Sequence, residues 1–372
     1  MISFDHPKIK KIELEEQEMQ FGVFLLLQSP DVQPSPTVYD NAIEQAVLAD
    51  KLGFNTVWLA EHHFSSYGYL PYPLMMAIKI AERTSNIRVG TAVLVLPLHH
   101  PIKLAEEIAM ADQLTNGRIE IGFGRGYQEY EFDRLGVDIN ENREMFDESL
   151  EIISKALQQD TITYDGKYYN IPETAIFPRT IQNPHPPFWI AAQSPDSIKK
   201  VVQKGYKCIT GGSSAPSGAV KQNWEVFQNA VEESGAGWPQ EFAIQKQIFV
   251  AETEQEARQE LDNAMWHYRL VTSLRANTQV VEKGKAIETI LDNEPDLDTV
   301  YDEWLIFGDP ETCTKKIQKL IDTTGITSLN CVFKIGRMDN EKVMKSMKLF
   351  ATEVMPQFKD VIGSGQKATV KQ

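Results

Sequence analysis

The residues best suited to chemistry in this chain sit where strand-like runs end. His62 and His63 follow the apolar stretch 56–60 (TVWLA). Neighbouring side chains at a strand end point to opposite sides, so these imidazoles do not readily chelate one metal, and His99 with His100 meets the same objection. No HExxH or comparable spacing exists, which makes a zinc site a poor reading. One member of the 62/63 pair should instead face inward. There an imidazole of intrinsic pKa about 6.5 can serve as acid, base or hydrogen-bond donor; capping of backbone groups is the plainer role. Arg125 lies among glycines in the segment 122–126 (GFGRG), a setting suited to bidentate phosphate binding. An ion pair with Glu129 or Glu131 is the competing role. The GxGxG spacing has no helix directly after it, so a dinucleotide fingerprint is a poor match. Residues 193–197 (QSPDS) lie between a strand and a helix, where Ser194, Ser197 and free backbone amides can either hold an anion or simply cap the helix. Phosphate becomes the stronger reading if Arg125 converges on the same place. No Ser/His/Asp order, reactive-cysteine motif or P-loop is present.

The elements that must position these residues alternate along the chain. Strands are expected at 20–28, 56–60, 87–96, 118–124, 187–192, 207–212, 242–251 and 327–335, mostly apolar runs that suit burial on both faces. Helices are expected between them. In the helix after the three prolines of 29–37, Ile43, Ala46, Val47 and Ala49 share a face, and Gly53 closes it. From residue 142, Phe146, Leu150, Ile153 and Leu157 mark one buried face. A hairpin is expected at 161–171 around Asp165-Gly166, and one helix from 253 to about 275. Residues 276–306 are the least regular part of the body, and a segment of that kind is usually functional or mobile. Eight strands alternating with helices, without a composition break, predict a single-domain α/β fold, a closed (β/α)8 TIM barrel over 19–358. An open doubly wound sheet is the alternative. Residues 1–18 read as a polar extension and 359–372 as a frayed polar tail.

The chain has 372 residues, a formal net charge of −15 and a sequence pI near 5.0. Such an acidic balance argues against nucleic acid and anionic membranes as partners, but a few local donors can still hold an anionic cofactor. Cys208, Cys313 and Cys331 are widely spaced in apolar surroundings, as buried thiols of a cytoplasmic protein would be. No signal peptide or membrane span is evident.

The motifs together resemble those of the bacterial luciferase-like, flavin-dependent monooxygenases, on the luciferase and alkanal-monooxygenase branch. They are MQFGVFLL from Met19, WLAEHHFSSYG at 58–68, GTAVLVLPLHHPIKLAEE at 90–107 and DQLTNGRIEIGFGRGYQEYEFDRLG at 112–136, with GDPETCTKKI and VMKSMKLFATEVMP closing the chain. The resemblance implies a two-component enzyme. A separate flavin reductase supplies reduced FMN, which with O2 oxygenates a small organic substrate such as an aldehyde or ketone through a flavin peroxide. The alternatives are hydride transfer with FMN or a deazaflavin, and a flavin-binding barrel without turnover. By position, the resemblance assigns His62 and Glu131 to catalysis, Ala92 and Val93 to a non-proline cis peptide against the flavin, and Arg125 with Gln193, Ser194 and Ser197 to the phosphate. Phe21 and Phe24 should line the pocket. Gly124 stands where the luciferases have a reactive cysteine, which suggests more room beside the flavin, and Gln193 stands where a glutamate is usual. Residues 276–306 correspond to a mobile loop that excludes water. A homodimer, or a heterodimer with a paralogue, is implied, with the helix at 101–115 as its interface.

Overall fold

Runs rich in β-branched and aromatic residues pair in parallel as β1 (Gln20–Leu25), β2 (Thr56–Leu59), β3 (Arg88–Val95), β4 (Ile119–Gly124), β5 (Phe188–Ala191), β6 (Lys207–Thr210), β7 (Phe242–Val250) and β8 (Ser328–Val332). Each strand bonds to the next, and β8 returns to β1. The ring is closed, so no barrel strand presents an open edge. This is the expected (β/α)8 barrel, in one domain. The computed structural model describes residues 19–211, 216–235, 241–324 and 326–358; the segments 1–18 and 359–372, read as extension and tail, lie outside them.

Helices between the strands begin and end on local signals. Prolines occupy the first turn of Pro73–Arg83 and Pro101–Leu114, where a missing N–H costs nothing. Gly53 ends Ser35–Leu52 in the left-handed region at φ 82°, which lacks a Cβ penalty only for glycine. The buried face of that helix is Val38, Ala42, Gln45, Ala46 and Ala49; Ile43 and Val47 are only partly buried. The face expected from residue 142 is buried as read, with Phe146, Leu150, Ile153 and Leu157 all inside. The helix expected over 253–275 is divided into Glu254–Arg258 and Leu261–Arg275. At the break, the Glu260 carboxylate accepts from Lys342 and Asn263.

Strand alternation corrects one expectation. Phe21 and Phe24 are three residues apart, so they face opposite sides of β1. Phe24 points into the barrel mouth. Phe21 packs outward on Phe350 and Phe358, with its ring centroid 5.4 Å and 6.1 Å from theirs, and does not line the pocket.

Residues 276–306 are more regular than the sequence suggests. They contain the antiparallel pair Val280–Glu282 and Lys285–Ile287 and a helical turn over 297–304. The hairpin is tied to the loop after β2, where Ser66 N–H donates to Gly284 O and Ala286 N–H to Ser66 Oγ. Arg269 holds Glu288 and Glu294 beneath it. A further short strand, Ile306–Gly308, extends the sheet from the outer half of β7. Among the described residues, no helix is long and apolar enough to cross a membrane.

Below the barrel mouth, large rings fill space that glycines leave. A Cβ on Gly90 would lie 2.3 Å from the Trp58 ring, and one on Gly22 2.8 Å from its Nε1. Trp58 meets Trp189 edge to face at 5.3 Å. The Glu120 carboxylate accepts from Trp189 Nε1 and from Arg88. Two residues further along their strands, Ala60 and Ala191 line a cavity, so this layer is its floor.

Candidate active site

That cavity has a volume of about 460 Å³. His62, Glu131, Ala92, Val93, Gly124, Arg125, Gln193 and Ser194 all line it, although they come from widely separated stretches. Ser197 lines an adjoining space of about 50 Å³, and Arg125 faces both. The convergence required for an anion site is therefore met.

His62 and His63 diverge as strand geometry requires. His62 turns to the cavity, with Nδ1 3.2 Å from Glu131 Oε1. Glu131 Oε1 also accepts the His63 backbone N–H at 2.8 Å, so as an acceptor it fixes Nδ1 of His62 as the donor and leaves Nε2 for the cavity. The Gln128 amide lies 2.9 Å from the same Nδ1. Turned with its oxygen toward Nδ1, it also finds a partner for a buried carbonyl that otherwise lacks one. Tyr67 meets the His62 ring edge to face at 4.7 Å, and its hydroxyl is 3.4 Å from that of Tyr127. Burial above all keeps both phenols protonated, raising them above their ordinary value. On the far side His267 accepts from or donates to Gln28 across 2.8 Å. Burial, and then the charges of Arg275 and His62, push its pKa down to about 3, so it stays neutral.

His63 turns the other way, to the fully buried Glu61. Glu61 accepts from His63 Nε2 at 2.8 Å, from His99 Nε2 at 2.9 Å and 3.0 Å, and from the Val95 backbone N–H at 3.0 Å. Burial pushes the Glu61 carboxyl up, but the bonds and charges of the two histidines outweigh it and hold the group below its ordinary range. Burial likewise lowers His99, and the Glu61 bond and charge more than reverse this. The cluster ties the loop after β2 to the end of β3. That end carries the Ala92-Val93 peptide, which is cis although Val93 is not a proline, as the resemblance implied.

At Gly124 the structure corrects the sequence reading. A Cβ there would lie 2.4 Å from Val93 Cγ2. The space that the missing side chain leaves is filled by Val93, so Gly124 does not enlarge the cavity there.

Arg125 forms no ion pair among the described residues. Glu129 is bonded to Asn277 and Glu131 to the two histidines, so the ion pair considered above is absent. Burial, then the neighbouring Arg143, lower the Arg125 guanidinium from its ordinary value, with Asp147 acting the other way. Arg143, Lys200 and Lys204 line the smaller space with it. Sequence reasoning missed Arg143; its only signal was a basic residue in the first turn of Asn142–Gln158, where the helix dipole disfavours a cation. Ser194 and Ser197 form a reciprocal capping box: Ser197 N–H donates to Ser194 Oγ at 3.3 Å, and Ser194 N–H to Ser197 Oγ at 3.1 Å. Capping is thus present, at the same place as the two arginines. Tyr67, Tyr127, Gln128, His267 and Arg275 were also missed.

The cysteines take no part. All three are buried, and burial raises each thiol above its ordinary value. Among the described residues no cluster is able to hold a metal.

The Glu61 cluster makes a pH-dependent prediction. Its carboxyl, lowered from 4.5, adds stability above that value and loses it as pH falls through the folded value. His99, raised from 6.5, adds stability below 6.5 and loses it as pH rises through its folded value. Glu61→Gln should therefore cost most, about 3 kcal/mol, between pH 4.5 and 6.5, and less at higher pH. Denaturant titrations of both proteins across this range test it; a penalty independent of pH would exclude the charged pair.

Known proteins share this sequence pattern and this barrel. The profile of the luciferase-like monooxygenases matches residues 19–328. The uncharacterised protein y4vJ of Sinorhizobium fredii is 32% identical over 351 residues, covering 94% of this chain and 100% of that protein. The oxygenase component of the flavin-dependent trigonelline monooxygenase of Acinetobacter baylyi is 27% identical, covering 95% and 99%. The solved structure of monooxygenase RslO1 from Streptomyces bottropensis superposes with a TM-score of 0.82 at 26% identity, covering 91% of this chain and 100% of that one. With its motifs, its closed barrel and the cavity at the strand ends, the chain belongs to the luciferase-like monooxygenase family.

Proposed function

We propose that this protein is the oxygenase component of a two-component, FMN-dependent monooxygenase that adds one oxygen atom from O2 to a small organic substrate. The observation that carries the reading is the pair Arg125 and Arg143, neither held in an ion pair among the described residues, beside the start of the Pro195–Gln203 helix. Asp147 lies beside them but pairs with Lys200 at 3.4 Å, so the two guanidiniums remain free to meet an anion, and a helix start supplies further donors. A flavin phosphate fits that donor set. Its fused ring fits the wall built from Ala92, Val93 and Gly124, which is apolar and without a projecting side chain at position 124. The relative from Acinetobacter baylyi is by name an oxygenase component, which supports a separate flavin reductase as partner.

When bound, reduced FMN would supply the activation of O2 and the transfer of one oxygen atom. The protein's own residues do the rest. Arg125, Arg143, Ser194, Ser197 and the amides near Gln193 hold the phosphate. Glu131 and Gln128 fix the His62 ring so that Nε2 can donate or accept a proton at the reacting centre. The phenols of Tyr67 and Tyr127 are neutral donors beside it. The hairpin at 280–287, tied to Ser66 and packed through Ala286 in one cluster with Tyr67, would limit water from that side. We also propose a dimer through the Pro101–Leu114 helix, whose Met110 and Leu114 are each 51% exposed.

Arg125→Ala should weaken FMN binding by about 1.5–3 kcal/mol and leave riboflavin binding unchanged; fluorescence titration of both flavins checks this, and equal losses would place the phosphate elsewhere. In His62→Asn, oxygenated product should fall by about 100-fold or more while hydrogen peroxide recovered per O2 rises. The full reaction of reduced FMN and O2 tests the activity itself. Peroxide accounting for all O2 with every candidate substrate would reject oxygenation, and turnover with a deazaflavin alone would favour hydride transfer. Sedimentation of the protein against Met110→Lys should show a dimer becoming a monomer; a monomer in both removes the interface.

A further inference from the structure

Most arginines of this chain are engaged. Arg88, Arg118, Arg134, Arg179, Arg258, Arg269 and Arg337 all donate to oxygen acceptors. Arg125 and Arg143 belong to the phosphate end. Arg275 is different. It ends the Leu261–Arg275 helix, lines the main cavity, and has no hydrogen bond or ion pair among the described residues. It does not line the smaller space that Arg125 shares with Arg143 and Ser197.

The surroundings of Arg275 place it on the His62 side of the cavity. Its guanidinium lies 5.7 Å from the centroid of the Tyr127 ring. The Tyr127 hydroxyl reaches Tyr67, and the Tyr67 ring meets His62. Gly211 makes room for the Gln193 amide: where its Cβ would lie, Gln193 Nε2 is 2.5 Å away and Arg275 Nη2 3.9 Å. Two nitrogen donors, one of them cationic, therefore lie near one another beside Gly211 on the cavity wall. A carboxylate at position 193 would neutralise the arginine; the neutral amide of Gln193 does not. The nearest acidic groups are already spent, Glu129 on Asn277 and Glu131 on His62 and His63.

We propose that Arg275, with the side-chain amide of Gln193, forms a second anion subsite that seats the carboxylate of an organic-acid substrate with its reacting carbon toward His62. A carboxylate offers paired oxygens to a guanidinium fork, and the aromatic faces of Tyr127 and Tyr67 take the adjoining carbon skeleton. The inference rests on the FMN-oxygenase reading, because it assigns the arginine that the flavin phosphate does not use.

The test uses wild type, Arg275→Gln, Arg275→Lys and Gln193→Glu. FMN and riboflavin affinities are measured first, and absence of FMN binding by wild type would defeat the function proposed above before any acid is added. Phenylacetate and octanoate, each against its methyl ester, are then titrated by calorimetry into the FMN-loaded proteins. The acids should bind wild type at least about tenfold tighter than their esters, as loss of one charge-assisted bond implies. That preference should vanish in Arg275→Gln and Gln193→Glu and largely persist in Arg275→Lys, with the FMN-to-riboflavin affinity ratio of both Arg275 variants the same as that of wild type. The inference is overturned if neither acid binds wild type better than its ester, or if the preference survives both neutralising changes. It is equally overturned if Arg275→Gln collapses the FMN-to-riboflavin ratio, which would give the arginine to the flavin phosphate.

Discussion

The close approach of β3 and β4 is the constraint on which the site depends. Gly122 N–H donates to Thr91 Oγ1 at 2.9 Å, and the same hydroxyl donates to Gly122 O at 3.0 Å. A Cβ on Gly122 would lie 2.1 Å from Thr91 O, well inside van der Waals contact with backbone that has nowhere to go. Pairing along these strands shifts between Thr91 and Leu94, so regular register is lost where the cavity begins. Gly124 then yields its side-chain space to Val93. With β4 drawn in, its next residue, Arg125, opens onto both cavities. The end of β3 is pinned from the other side by Glu61 through Val95 N–H. A wall for a planar ring and a cation for an anion thus come from one local packing solution.

Charge is arranged against the average of the molecule. The chain carries a net −15, yet the carboxylates nearest the cavity are consumed: Glu61 by two histidines and a backbone amide, Glu131 by His62 and the His63 amide. The guanidiniums of Arg125, Arg143 and Arg275 are left without such partners among the described residues. Buried acids are expensive unless hydrogen-bonded, so their satisfaction by histidines both stabilises the loop after β2 and keeps them from cancelling the cations.

Much of the architecture was legible in the chain, because it rests on local signals. Apolar runs of strand length, prolines at helix starts and Gly53 at a helix end each act within a few residues, and their order allowed few folds besides a closed barrel. The divergence of His62 from His63 followed from strand alternation alone. Phe21 shows the limit of neglecting that rule: both phenylalanines of β1 looked suitable for the pocket, but their spacing sends one outward. The hairpin within 276–306 was hidden because its anchors, Ser66 and Arg269, are remote in sequence. The division at Gln259–Glu260 was hidden for the same reason, with Lys342 as the partner.

The sequence by itself determined the alternation of strands and helices, the glycines and histidine at the strand ends, and an arginine among glycines at the end of β4. Only the tertiary structure decided which residues share a wall with them. Arg143 and Arg275 come from helices whose cavity-facing sides depend on how each helix docks on the barrel, and no periodicity reports that. Val93 takes the room beside Gly124 because two strands approach to within contact, a distance that composition does not encode. Secondary structure follows from interactions between near neighbours; the shape and charge of the cavity follow from closure of the ring, which brings together residues far apart in the chain.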